Sequence, residues 1–182
     1  MPQSPEEEST LDLSDLAYPI LAFWLDRDAA GEHRNERFRL FVSAQDLAVV
    51  SAWGLRCEHS PGTQFLDNAG RNFQIANVIG GEFVTPLWLR ILARVMRDPG
   101  SIRRRVEYRV VVLPPMPFAD AKARVGASIQ RNTDDWLDDE AMAGESGEPL
   151  KLEDVIAVAM KAVRKATTVK DLHEGLDAAW PY

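Results

Sequence analysis

Between Thr63 and Ile79 the chain reads TQFL, DNAG, RNFQIANVI: two β-type runs separated by four residues with turn chemistry. Asp suits the first position of a type I turn, and glycine suits the left-handed position that ends it. A type I turn followed by a left-handed residue is a common hairpin connection. Strands joined this tightly run antiparallel, because a parallel pair needs a long crossover. The same stretch looks like a metal loop, with Asp67, Asn68 and Asn72 around a glycine. An EF-hand needs more oxygens and a Glu six residues after the glycine. Position 76 is Ala, so the sequence favours a hairpin turn.

The remaining patterns mix strands and helices. Tyr18–Asp26 (YPILAFWLD) is a short apolar run ended by charge, as in a buried strand. RFRLFV then alternates, with Phe38, Leu40 and Val42 on one face and Arg37 and Arg39 on the other, which predicts an antiparallel partner for the first strand. Ser43 and Asp46 form a capping-box pattern for a short helix, with Gly54 past its expected end. Gly80-Gly81 reads as a flexible corner before TPLWLRILARVMRDPG, the best helix of the chain. In that helix Thr85 is the expected N-cap and Pro86 the first residue. Trp88, Ile91, Leu92, Val95 and Met96 share one face, and Arg90, Arg94 and Arg97 the opposite one. RRRVEYRVVVL is a strand whose last residues are apolar on both faces, as in a central, doubly covered position. Helices follow, with Phe118, Ala121, Val125 and Ile129 in register, then Leu152, Val155, Ile156, Ala159 and Val163. A last helix is capped by Thr168 and Asp171.

This order predicts an α+β fold: an antiparallel or mixed sheet of about four to six strands, helices mainly on one face, and a C-terminal helical hairpin. The organisation expected is a disordered acidic tail over 1–12, a core over 13–133, an acidic linker or docking segment over 134–149, and the hairpin over 150–182. With 182 residues, 46% of them hydrophobic, the chain is long enough for one real core. It has one cysteine, no signal-peptide pattern and no apolar run long enough to span a bilayer, so a cytoplasmic protein is expected.

Catalytic patterns are scarce. Three histidines (His33, His59 and His173) and the lone Cys57 do not make a zinc pattern. Cys57 and His59 are expected to be a small buried thiol beside a surface histidine. Phosphate-cradling glycine motifs, nucleophile elbows and HExxH are absent, and no cofactor is implied. Seven arginines fall within 20 positions, from Arg90 to Arg109. No aromatic residue is interleaved on their polar face to stack a base, and the net charge of −7 opposes nucleic acid and anionic lipid.

The acidic segment is the strongest functional feature. Residues 134–148 carry seven acids and no base, with Trp136, Leu137 and Met142 among them. An aromatic ringed by polar groups is a common interface anchor, and acids steer a basic partner. The expectation is therefore a non-enzymatic, acidic protein-binding domain that meets a basic protein through Trp136, Asp134, Asp135, Asp138 and Asp139. Bacterial toxin-neutralising, immunity-type proteins share this size, acidity and mixed α+β pattern, an analogy of class alone. The alternative is a small-molecule binder or enzyme with a pocket between sheet and helices, using Arg109, Tyr108 and His59. A third class is a homodimer joined through PILAFWL and AAWPY.

Overall fold

The computed structural model describes residues 8–27, 33–52, 54–96, 99–133 and 152–179. Its strands are β1 (Ser9–Thr10), β2 (Ile20–Arg27), β3 (His33–Phe41), β4 (Val49–Ser51), β5 (Gln64–Leu66), β6 (Asn72–Phe83) and β7 (Arg103–Leu113). Its helices are α1 (Ala44–Ala48), α2 (Leu87–Val95), α3 (Phe118–Arg131), α4 (Leu152–Lys165) and α5 (Val169–Ala179). All seven strands join one antiparallel sheet in the order β1-β7-β6-β5-β2-β3, with β4 beside β1 along the outer edge of β7. The fold is α+β, as expected, with α4 and α5 as the C-terminal hairpin. The strand number exceeds the expected range because β1 and β4 are two- and three-residue pieces that sequence periodicity does not register. Ser9 and Thr10 thus lie in the sheet, within the stretch expected to be tail.

β2 is apolar on both sides because both its faces are covered. Ile20 and Ala22 point into a core closed by Leu16, Leu47 and Val50; Leu21 and Phe23 point into a second core formed with α3, α4 and α5. Of PILAFWL, Pro19 to Trp24 are buried and Leu25 is exposed, so most of that run is taken up by the interior; Trp180 and the residues after it lie outside the described residues. α3 is fixed to β3 by polar contacts as well as packing. Arg124 grips Glu36 with Nη2 at 2.6 Å and Nε at 3.0 Å, and its guanidinium lies 3.9 Å from the Phe23 ring centre. Ser128 and Asn132 both donate to the Glu36 carbonyl.

The DNAG hairpin forms as the sequence dictates, with Gly70 at φ +82°. Asp67 is 1% exposed. Its carboxylate accepts from the backbone N–H groups of Ala17, Ala69 and Arg71 and from the Arg71 guanidinium. The turn thus ties the chain before β2 to the β5–β6 hairpin.

Three local expectations are corrected. The capping box at Ser43 and Asp46 is present, but α1 ends at Ala48 because Val49–Ser51 pair with Arg103–Arg105 of β7. Gly80 and Gly81 are strand residues. A Cβ on Gly80 would meet Arg104 Nη1 at 2.6 Å, and one on Gly81 the Arg105 carbonyl oxygen at 3.2 Å, so bare backbone lets β7 cross closely there. The far end of β7 is central in the sheet but not covered on both sides, since Val112 is 65% exposed.

β6 and β7 outrun the cores. Along β6 the burial fades from Asn72, Phe73 and Ile75 to a solvated half after Val78. α2 connects the protruding ends of these two strands.

Removing the Asp67 carboxylate leaves several buried N–H groups without an acceptor. Asp67→Ala is expected to cost about 3 kcal/mol or more, read from urea denaturation. A loss below about 0.5 kcal/mol would show that the turn does not anchor the fold.

Candidate functional site

Two places in the fold gather chemistry. One is a buried polar node behind β7. Tyr108 is fully buried, and its Oη donates to the Leu47 carbonyl at 2.7 Å and lies 2.6 Å from His59 Nδ1. A phenol has one proton to give, so Nδ1–H of His59 is the second donor of this chain. His59 is 2% exposed and packs against the Phe41 and Tyr108 rings. Glu58 is also buried and accepts two bonds from Arg39 Nη1, at 2.8 and 2.9 Å.

The sequence expectation for this segment is inverted. His59 is interior and Cys57 is partly exposed, because Leu55–Ser60 is a run of turns and not an extended strand. Burial raises the Cys57 thiol pKa, with the Asp26 and Glu58 carboxylates adding to the effect. Of the three residues of the pocket alternative, Tyr108 and His59 do meet. Arg109 does not join them; it is exposed on the opposite face of β7. Arg39 supplies the guanidinium instead, a residue that its strand alternation marked only as outward-facing.

Burial holds both members of the pair neutral. It lowers His59 from an ordinary 6.5 to about 4, with the Arg39 charge adding to the effect. Glu58 Oε2 lies 3.7 Å from His59 Nε2, but its charge is already engaged by Arg39. Burial likewise raises Tyr108 well above the ordinary tyrosine range. The adjoining cleft, lined by Arg39, Gln45, Asp46, Ser51 and Glu58, is about 200 Å³, below the roughly 300 Å³ at which ligand pockets begin.

The second place is α2. An amphipathic helix normally turns its apolar stripe to the core. Here the stripe faces solvent: Trp88 is 66% exposed, Val95 76% and Met96 70%, with Leu87, Ile91 and Leu92 similarly open. Ala93 is the one buried residue of this helix. Thr85 does not cap it, because its hydroxyl accepts from the Arg103 N–H at 2.7 Å and so ties the helix entry to β7. Between α2 and the strand ends lies a cleft of about 400 Å³ lined by Phe83, Leu87, Arg90, Ile91, Arg94, Val95 and Ile102. The Arg90 guanidinium sits 4.3 Å from the Phe83 ring centre, and its Nε is buried without an acceptor. Sequence periodicity found this helix and its stripe; it could not tell which way the stripe faces.

No protein-family model, curated protein or solved structure matches the chain. The site therefore has to be read from its own geometry. Trp136, Asp134, Asp135, Asp138 and Asp139, the expected docking residues, lie outside the described residues. His33 and His173 belong to β3 and α5, and among the described residues no three His, Cys, Asp or Glu side chains gather as a metal site. No described helix is long and apolar enough to cross a membrane.

The polar node gives a signed pH dependence. Between pH 6.5 and about 4 the unfolded chain binds a proton at His59 that the fold rejects. The contribution is complete above pH 6.5 and is lost as pH falls towards 4. The stability difference between the native chain and His59→Gln is expected to shrink by roughly 3 kcal/mol across that window, measured by urea denaturation at several pH values. A difference independent of pH would show that His59 is not held neutral by the fold.

Proposed function

We propose that this chain is a non-catalytic protein-binding domain, and that it docks another protein on the outward face of α2. One observation carries the reading: the most amphipathic helix of the chain presents its apolar side to solvent. Contiguous exposed apolar area beyond a few hundred Å² marks an interaction site on most soluble proteins. Phe83 extends the patch from the α2 stripe onto the strand end, since it lines the same cleft, and Val84 and Ile79 of this strand region are exposed as well. A standard interface takes about 800 Å² from each partner.

The His59–Tyr108 pair supports the same reading from the other side. Both groups are held neutral around pH 7 and satisfy each other and Leu47. A general acid or base needs a pKa near the working pH. Toxin-neutralising proteins of the immunity type fall within the proposed class. The acidic residues from Asp134 to Asp139 would give such a protein a second, negatively charged surface for a basic partner.

The test is a double substitution, Leu87→Ser with Val95→Ser. Both side chains are solvent-facing, so stability is expected to stay within about 0.5 kcal/mol of the native chain. Affinity for a partner isolated from the native cell and then reconstituted from purified components is expected to fall more than tenfold, since each buried anchor contributes about 1.5–3 kcal/mol. Full retention of affinity, or a loss of stability of several kcal/mol, would remove α2 as the docking face.

A further inference from the structure

Resting on the reading of α2 as a docking face, the geometry points to one class of partner: we infer that the occupant is an acidic protein segment. It places a bulky apolar side chain in the α2 cleft and carboxylates against Arg90 and Arg94. This partner differs in sign from the basic one that the acidity of the whole chain leads one to expect.

The cleft supplies both halves of that specificity. Its walls are carbon, from Phe83, Leu87, Ile91, Val95 and Ile102, and its volume of about 400 Å³ accommodates an inserted aromatic or large aliphatic group. Arg90 and Arg94 line it, and neither has a carboxylate partner among the described residues. Arg104 lies across Gly80 on the same protruding pair of strands, also without one. Four arginines elsewhere on this fold are paired, Arg37 with Asp26, Arg39 with Glu58, Arg71 with Asp67 and Arg124 with Glu36, whereas Arg56, Arg109, Arg131 and Arg164, like the cleft arginines, have no carboxylate partner among the described residues. What sets Arg90 and Arg94 apart is their place: both line an apolar cleft. Guanidinium groups bind carboxylates in a two-pronged geometry, and an amphipathic segment laid in an apolar groove is a recurrent recognition mode.

Other occupants fit less well. A second copy joined about a two-fold axis would set Arg90 and Arg94 near the same residues of its mate, because an isologous contact opposes identical patches. A membrane favours a convex apolar ridge with cations at headgroup level, whereas here the arginines line a concavity. Nucleic acid would need a longer basic groove that tracks its backbone, and the net charge of −7 opposes it.

The experiment is selection of a displayed random-peptide library on the full-length chain. The selected peptides are expected to combine Trp, Phe or Leu with flanking Asp or Glu. A synthetic representative should bind at least tenfold more weakly to Arg94→Gln, whose side chain is exposed, and to Arg90→Gln, with circular dichroism confirming that each variant is folded. Selected peptides that are basic or uncharged, or that are indifferent to both substitutions, would overturn the inference. So would a selection with no consensus. Sedimentation as a dimer that Leu87→Ser with Val95→Ser dissociates, or binding to phosphatidylserine vesicles that needs the same two side chains, would also overturn it. Those last results would separate the two ideas. The dimer leaves protein docking on α2 standing and removes the acidic partner. Vesicle binding removes both, as does an acidic peptide that ignores Leu87 and Val95.

Discussion

The antiparallel pairing of β6 with β7 is the constraint on which the rest of the molecule depends. It runs from Asn72 opposite Leu113 to Phe83 opposite Arg104. Its first half forms the floor of the core, through Phe73, Ile75, Tyr108 and Val110. In its second half only Val106, opposite Gly80, is still buried; the β6 residues from Ile79 onward are exposed. α2 joins two strand ends that already stand clear of the body. A helix held there has little to pack against, whatever its sequence. The exposure of Trp88 and its neighbours therefore follows from strand length and needs no special property of the helix.

The buried polar groups follow a different logic. Asp67, Glu58, His59 and Tyr108 are all interior, and each has protein partners at hydrogen-bonding or ion-pairing distance. Burying such groups is unfavourable unless they are bonded, and strongly unfavourable when only one partner remains. Arrangements of this kind select one packing over its competitors: Asp67 specifies how the chain before β2 meets the hairpin, and Tyr108 specifies where α1 ends against β7.

Local rules carried much of the fold into view. The DNAG turn, the capping boxes at Ser43 and Thr168, the two-faced apolar run of β2 and the register of α3 and α4 all depend on residues a few positions apart, and all are found where periodicity places them. What escaped depends on distant partners. Val49–Ser51 becomes a strand only because β7 is beside it, and Gly80 is strand because it pairs with Val106 of β7. His59 is interior because a run of turns folds it under Phe41. Amphipathicity shows that a helix has two sides; it does not state which side meets water. That was the missing piece for the candidate site.

The sheet's outer margins bear on how this molecule can meet others. Beyond β7, the margin is occupied in part: β4 pairs with Arg103–Arg105, β1 with Arg109 and Val110, and Leu11 adds a further backbone bond to Tyr108. On the opposite margin β3 carries Arg37 and Arg39, with an irregular register near Leu25. Short flanking strands on one border and charged side chains on the other are features that hinder the templated addition of a foreign strand, the route by which open sheets polymerise. A fold with borders of this kind can expose a greasy helix with less risk of fibre growth.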